Sequence, residues 1–167
     1  MTIHTIGYEG ADLQDFLRTL SAAEVDVLVD VRAVAVSRRK GFSKTALSIA
    51  LDEERLGYVH FRPLGDPKAG REAARAGQFR LFEQIYDAHL ATPEAQASLA
   101  ELIDLARRHT VALMCYEADA LHCHRTVIAR HLAKSLKQRI VNLDVNKSRA
   151  RLEARTYDYS RQGLAAA

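Results

Sequence analysis

Apolar residues recur along this chain with two periods, and segments of the two kinds alternate from the first residues to about position 145. Short runs rich in Val, Ile and Leu predict strands, whereas apolar residues three or four positions apart predict amphipathic helices. The run at 25–33 is apolar on both faces up to Asp30, as expected for an interior parallel strand. The predicted strands are 3–8, 25–33, 58–64, 111–117 and 139–145. The predicted helices are 11–23, 43–56, 78–90, 92–109 and 124–138.

Local signals refine these elements. Ser43 is a candidate N-cap of the second helix, and Pro93 suits the first turn of the fourth. In the last helix Val127, Ile128, His131 and Leu132 are expected to face inward. The polar, glycine-bearing segment 65–78 is expected to be partly helical and partly a mobile flap.

Strands that alternate with helices predict a three-layer α/β/α fold with a mostly parallel five-stranded sheet, Rossmann-like or flavodoxin-like. Right-handed crossovers restrict the topology but leave the strand orders 3-2-1-4-5 and 2-1-3-4-5 open. We expect residues 1–145 to form a single α/β domain. Residues 146–167 are expected to form a basic C-terminal tail, partly ordered or disordered.

Composition narrows the class of protein. With 167 residues, 48% hydrophobic and 27% charged, the chain fits one globular domain. No apolar run reaches the ~18 residues that suggest a membrane span, and the N-terminus lacks the pattern of a secretory signal. Two cysteines do not make a disulfide framework. We therefore expect a cytoplasmic protein with reduced thiols and no membrane partner.

The formal charge of +3 is confined to one part of the chain. Five basic and two acidic residues follow position 145, so the body of the chain is neutral overall. The sequence pI of about 9.0 would by itself suggest a nucleic-acid partner. The distribution weakens that interpretation and restricts it to the tail.

Polar side chains gather where the predicted strands end. The ends carry Gly7-Tyr8-Glu9-Gly10, then Asp30 and Arg32 followed by Ser37-Arg38-Arg39, then Arg62, and finally Cys115 and Glu117 leading to Cys123-His124-Arg125. In open parallel sheets, ligands bind outside the carboxyl ends of the strands. The sequence therefore predicts a site at this edge of the sheet.

Cys123 stands where the last helix should begin. Unpaired N–H groups and the helix dipole favour a thiolate there, and lower a cysteine pKa to ~3.5–7.5 in known cases. The same helix start suits an anion, for which His124 and Arg125 would supply positive charge and donors. Alternatively, Cys123 is an inert residue packed beneath the turn.

Cys115 lies within an apolar strand and is either a buried small hydrophobe or a resolving thiol for Cys123. Zinc is not expected, because His122, Cys123 and His124 are consecutive and point in different directions, and no second ligand cluster occurs. Glu117 and Asp30 are candidate general acids or bases, or they pair with Arg32 and Arg125. Neither GxGxxG nor GxxxxGK[ST] occurs. We expect no bound cofactor.

Four pieces of the sequence match a known family in order. The pieces are TIGYEG (5–10), VLVDVRAVAVSRRKGFSK (27–44), YVHFRPLG (58–65) and CYEADALHCHRTVIA (115–129). Together they resemble the domain-of-unknown-function 488 family, α/β proteins that are largely bacterial and archaeal. The resemblance points to Tyr8, Asp30, Arg32, Ser37, Arg38, Cys115, Glu117, Cys123, His124 and Arg125. The chain departs from the family pattern at Ala35 or Val36, where proline is frequent, and at Asp66, where glycine is frequent.

Three functions remain in competition. The first is an enzyme acting on a small anionic or nucleotide-like substrate, with Cys123 as nucleophile, Glu117 or Asp30 moving protons and Tyr8, Arg32, Ser37, Arg38, His124 and Arg125 binding the anion. The second is a nucleic-acid-associated protein that uses the Arg/Lys loop and the tail. The third is a non-catalytic module that binds an anion. The sequence favours the first and does not indicate an oligomeric state.

Overall fold

A computed structural model describes residues 2–145, and the predicted basic tail lies outside the described residues. The strands are β1 (Thr2–Gly7), β2 (Val27–Asp30), β3 (Gly57–His60), β4 (Val111–Cys115) and β5 (Arg139–Leu143). The helices are α1 (Leu13–Ala22), α2 (Lys44–Glu53), α3 (Lys68–Arg75), α4 (Phe79–Leu90), α5 (Pro93–Arg108) and α6 (His124–Leu136). A single 3₁₀ turn, Arg62–Leu64, follows β3. The predicted three-layer α/β fold is confirmed.

Alternation along the strands builds a core on each face of the sheet. In β4, Val111 and Leu113 join one core, whereas Ala112 and Met114 join the other. Helices α4, α5 and α6 cover the first core with residues such as Tyr86, Leu102 and Leu132. Helices α1 and α2 cover the second with Phe16, Leu20, Leu47 and Leu51. The apolar run at 25–33 is thus explained, because β2 is covered on both sides.

All the strands pair in parallel, in the order β3-β2-β4-β1-β5. This order is neither of the two expected from the sequence, because β4 inserts between β1 and β2. The register pairs Cys115 with Gly7 on one side, while Met114 pairs with Asp30 on the other. The carboxyl ends of β1, β4 and β2 therefore lie side by side, and we call this edge of the sheet the rim.

Several element predictions need correction. Strand β3 ends at His60, and the chain turns into the 3₁₀ turn because Pro63 has no N–H for a strand ladder. Segment 65–78 contains the helix α3, in agreement with the expectation that it is partly helical. Ser43 is the N-cap residue of α2 but makes no side-chain cap bond, since its hydroxyl donates to the Ser37 carbonyl. His131 is exposed, although its neighbour Leu132 is buried.

Within residues 2–145, none of the helices has both the length and the apolar character needed to cross a membrane.

Gly7 sets how closely β1 approaches the loop after β4. A Cβ atom at this position would lie 1.8 Å from the Glu117 carbonyl oxygen, which is backbone and cannot swing aside. We expect Gly7→Ala to lower the free energy of unfolding by ~3 kcal/mol or more, at the upper end of overpacking costs, in urea denaturation. Gly10→Ala is the control, because a Cβ there meets nothing within 4 Å. Its cost should come from the positive φ alone, ~1 kcal/mol. Equal losses in the two variants would contradict this account of the rim.

Candidate functional site

A two-lobed cleft opens at the rim. The larger lobe has a volume of about 550 Å³ and is lined by β1, β2 and β4 ends together with the 33–39 loop and α3. The smaller lobe, about 290 Å³, lies between α3, α4 and the loop before α6. The residues that line both lobes are Asp66, Arg71, Arg75, Glu117 and His124. The site predicted at the carboxyl ends of the strands therefore coincides with a cavity of ligand size.

The floor of the cleft carries four reactive side chains, Cys115, Glu117, Cys123 and His124, which we call the thiol cluster. Cys115 is the last residue of β4, Cys123 is the N-cap of α6, and His124 is the first residue of that helix. The two Sγ atoms lie 3.7 Å and 3.9 Å from His124 Nδ1. Glu117 Oε2 lies 2.8 Å from Cys115 Sγ and 3.4 Å from Cys123 Sγ. Strand β4 and helix α6 thus bring the cluster together.

A single hydrogen bond fixes the orientation of the His124 ring. Its Nε2 atom lies 2.8 Å from the carbonyl oxygen of Val31, just beyond β2. Since a carbonyl can only accept, Nε2 carries the proton and Nδ1 faces the two sulfur atoms. The ring also contacts Tyr86 of α4, with centroids 5.5 Å apart. His124 is 5% exposed and is therefore held from several sides.

Arg125 supports the loop of the thiol cluster rather than lining the cleft. Its guanidinium is 1% exposed and donates to the Glu117 carbonyl at 2.5 Å and to the Ala118 carbonyl at 3.2 Å. It also donates to Thr5 Oγ1 at 3.3 Å and to Cys123 Sγ at 3.4 Å. Because these partners occupy the donor fork, the geometry supports a structural role and not the predicted contact with an anion.

The electrostatics of the cluster separate the two thiols. Burial raises the pKa of Cys115 well above its ordinary value, and Cys123 and Glu117 add to that shift. Burial acts in the same direction on Cys123, but the hydrogen bond from Cys115 and the charges of His124 and Arg125 outweigh it and lower the pKa of Cys123. Burial opposes protonation of His124, yet the Cys123 thiolate raises the pKa of this imidazole to about 9. The predicted thiolate at the helix start agrees with these directions.

Asp30 and Arg32 form a buried ion pair at the larger lobe, which Arg32 lines and Asp30 does not. The Asp30 carboxylate is fully buried and accepts two bonds from the Arg32 guanidinium, at 2.9 Å and 2.7 Å. Tyr58 donates to the same carboxylate at 2.6 Å, while Arg32 donates onward to the Tyr8 hydroxyl at 3.0 Å. This pairing is the structural alternative considered for Asp30. The geometry does not support Asp30 as a proton-transfer group, because it does not line the cleft.

The 33–39 loop contributes one side of the larger lobe. Ser37 and Arg38, which the sequence predicts to bind an anion, both line it together with Arg39. Arg39 is tied to the Ala11 carbonyl, and its N–H bonds to Ser37 Oγ. Among the described residues, Arg38 has no hydrogen-bond or ion-pair partner and is exposed. Its charge is therefore available to a ligand.

Sequence reasoning missed the opposite side of the cleft. Arg71 and Arg75 lie four residues apart on α3, and both line the two lobes. The i, i+4 spacing of two arginines after the third strand was the available signal. Tyr116, 44% exposed, adds an aromatic surface to the larger lobe.

Asp66 is the other residue that the sequence did not identify as part of the site. Its side chain is 5% exposed, and its Oδ1 atom has no hydrogen-bond partner among the described residues. Burial raises the pKa of this carboxyl to about 6. Gly70 makes room for it, since a Cβ there would lie 2.1 Å from Oδ1. A buried acceptor without a partner at the wall of a cleft is suited to receive a donor from a ligand.

The sequence predicts no zinc site, because His122, Cys123 and His124 are consecutive and point in different directions and no second ligand cluster occurs. In the structure only His122 points elsewhere, because its ring stacks on Phe79 with centroids 3.7 Å apart. Cys123 and His124 converge with Cys115, and their ligand atoms all lie within 4.8 Å of one another. The N-cap geometry of Cys123 accounts for this, since the chain changes direction there from extended to helical.

Comparison with known proteins identifies a family. The family model described as "Domain of unknown function DUF488" matches residues 12–132, so the chain belongs to this family. No match was found among curated proteins or among solved structures.

Removing the Arg32 guanidinium should leave the Asp30 carboxylate buried with two uncharged partners, the backbone N–H of residue 32 and the Tyr58 hydroxyl. We expect Arg32→Met to lower the free energy of unfolding by ~3–5 kcal/mol in urea denaturation at neutral pH, as for other broken buried pairs. Arg107→Ala is the control, because Arg107 pairs with Asp104 at 2.8 Å with both side chains exposed. That change should cost ~0–1 kcal/mol. A small loss for Arg32→Met would show that the buried pair does not stabilise the rim.

Proposed function

We propose that this member of the DUF488 family is an enzyme that acts on a small anionic substrate bound in the two-lobed cleft. The observation that carries the proposal is the position of arginines from two separate elements around one cavity whose floor is the thiol cluster. Arg38 comes from the loop after β2, whereas Arg71 and Arg75 come from α3. Guanidinium groups present forked donors that suit carboxylate and phosphate groups.

The charge balance of the cleft favours an anion. Among the described residues, Arg75 and Arg38 have no ion-pair or hydrogen-bond partner, so their charges face solvent in the cleft. Arg71 donates to the Asp66 carbonyl at 2.5 Å, which orients its guanidinium along the wall. A ligand that bridges these groups would form charge-assisted hydrogen bonds, worth ~1.5–3 kcal/mol each.

The rest of the lining suggests what else the substrate carries. Val34, Val36 and Tyr116 give the larger lobe an apolar wall. Their side chains are 44% to 76% exposed. Asp66 adds an acceptor that lacks a donor. A nucleotide-like molecule, with an anionic end, a flat ring and N–H groups, satisfies all three features.

The thiol cluster supplies groups that could transform such a substrate. Glu117 is an exposed carboxylate that lines both lobes and can accept or donate a proton at the cleft floor. If the protein is an enzyme, Glu117→Gln should keep ligand binding and lose turnover. If the native protein shows no turnover and Glu117→Gln binds the ligand as the native protein does, the non-catalytic module is favoured instead.

Nucleic-acid binding, the alternative function, depends chiefly on the basic tail, which lies outside the described residues. The observations on the cleft favour a small ligand.

The arginines are the direct test. We expect a panel of nucleoside monophosphates and inorganic phosphate to contain ligands that raise the melting temperature of the native protein. The double variant Arg38→Ala/Arg75→Ala should bind those ligands at least ~10-fold more weakly in calorimetric titration, because at least one charge-assisted bond is lost. Arg107→Ala is the matched control, since this exposed arginine lies near the end of α5, before the amino end of β4. Ligands that bind the native protein and the Arg38→Ala/Arg75→Ala variant with equal affinity would contradict the proposal.

A further inference from the structure

We propose that Cys115, Cys123 and His124 are the protein ligands of a zinc ion, with the fourth coordination position open to the cleft. This inference deepens the proposed function by assigning the chemistry of the cleft floor to a metal centre. Metal binding itself depends only on the geometry of the three side chains. It is therefore testable without knowledge of the substrate.

The separations of the ligand atoms fit tetrahedral coordination. With Zn–S bonds of ~2.3 Å and Zn–N bonds of ~2.0–2.1 Å, the S···N edges of a tetrahedron are ~3.5–3.6 Å and the S···S edge is ~3.8 Å. The observed distances from His124 Nδ1 to Cys115 Sγ and Cys123 Sγ are 3.7 Å and 3.9 Å. All three ligand atoms lie within 4.8 Å of one another. Small side-chain adjustments would therefore bring them onto one ion.

The surroundings of the ligands are those of a metal site. Histidine ligands of metals generally donate their second N–H to a carboxylate or a backbone carbonyl. His124 does this through Nε2 and the Val31 carbonyl, at 2.8 Å, and so leaves Nδ1 for coordination. Arg125 donates to Cys123 Sγ at 3.4 Å, a contact that stabilises a thiolate. The ligands sit on a strand end and a helix start, which hold them more firmly than a free loop would.

Charges around the site balance. When zinc binds, the thiol protons of Cys115 and Cys123 and any proton on His124 Nδ1 leave to solvent. The two thiolates and the Glu117 carboxylate then carry three negative charges, which offset those of the zinc ion and Arg125. No oxidation or reduction is involved.

A second observation points to the open position. Asp66 Oδ1 is buried in the wall of both lobes beside His124 and has no hydrogen-bond partner among the described residues. A water molecule on the metal is a donor that this carboxylate can accept. Two cysteines and one histidine with an open fourth position is a ligand set of catalytic zinc, which lowers the pKa of bound water to ~7. In such a centre Cys123 is a ligand, and bound water or substrate takes the place of the nucleophile that the sequence predicts.

The test uses the reduced full-length protein, because two thiols this close could oxidise. Zinc content is first measured by mass spectrometry after purification without chelators. The protein is then stripped of metal and titrated with Co²⁺ alone. We expect one equivalent to produce the thiolate-to-cobalt charge-transfer band and the intense visible bands of a four-coordinate ion, and one equivalent of Zn²⁺ to abolish them. A native protein that gives no charge-transfer band would overturn the inference, whatever the variants do.

Variants locate the ion. Cys115→Ser, Cys123→Ser and His124→Ala should each weaken Co²⁺ binding by more than the ~10–100-fold that follows loss of a supporting residue. His122→Ala is the matched control, since His122 is two residues from His124 but stacks on Phe79. It should leave affinity and spectrum unchanged. Circular dichroism checks the fold of each variant. A cobalt spectrum that survives in both serine variants, or that is lost in His122→Ala, would place the ion elsewhere and contradict the inference.

The two proposals can fail separately. An intact cobalt spectrum in the Arg38→Ala/Arg75→Ala variant, with anion affinity equal to that of the native protein, would refute the proposed substrate class and leave the metal site standing. Conversely, a protein that binds no metal but binds anions through these arginines would refute the metal site and leave the proposed substrate class standing.

Discussion

The buried guanidinium of Arg125 is the constraint on which the candidate site depends. It holds the backbone carbonyls of Glu117 and Ala118 in place from within α6, and it reaches Thr5 of β1 and the sulfur of Cys123. Because one buried side chain joins β1 and the loop after β4 to the helix start, the eight-residue connection from β4 to α6 has a defined shape. Without that support, the carbonyls of Glu117 and Ala118, Thr5 Oγ1 and Cys123 Sγ would each lose a hydrogen-bond donor together.

The parallel sheet makes the second contribution. With β4 between β1 and β2, the ends of three strands that are far apart in sequence become neighbours at the rim. His124 then bridges to the end of β2 through the Val31 carbonyl, while Arg32, which lines the larger lobe, is paired with the buried Asp30 carboxylate. Among the described residues, Arg38 and Arg75 on the cleft walls have no hydrogen-bond or ion-pair partner. The unpaired charges at the surface of the cleft support the proposed binding of an anion.

The sequence predicts the strands and most helices, and it misses the strand order and one side of the cleft. Periodicity locates every strand and most helices, and the start of α6 at Cys123 follows from local signals alone. Strand order could not be predicted, because right-handed crossovers permit several orders and the choice rests on long-range packing. For the same reason Arg71, Arg75 and Asp66 were overlooked: they lie on a segment that carries little apolar periodicity, and their relation to the cleft exists only after folding. The opposite orientations of His122 and His124 also could not be predicted, since they depend on stacking against Phe79 and on the distant Val31 carbonyl.

The central claim is that two sulfur atoms and one imidazole nitrogen converge on a single point at the cleft floor. X-ray absorption spectroscopy of the zinc-loaded protein measures this most directly, because it counts the atoms around the ion and gives their distances. The account predicts two sulfur neighbours at ~2.3 Å and nitrogen or oxygen neighbours at ~2.0–2.1 Å, with the outer-shell pattern of one imidazole. A spectrum described by nitrogen and oxygen neighbours alone would contradict it.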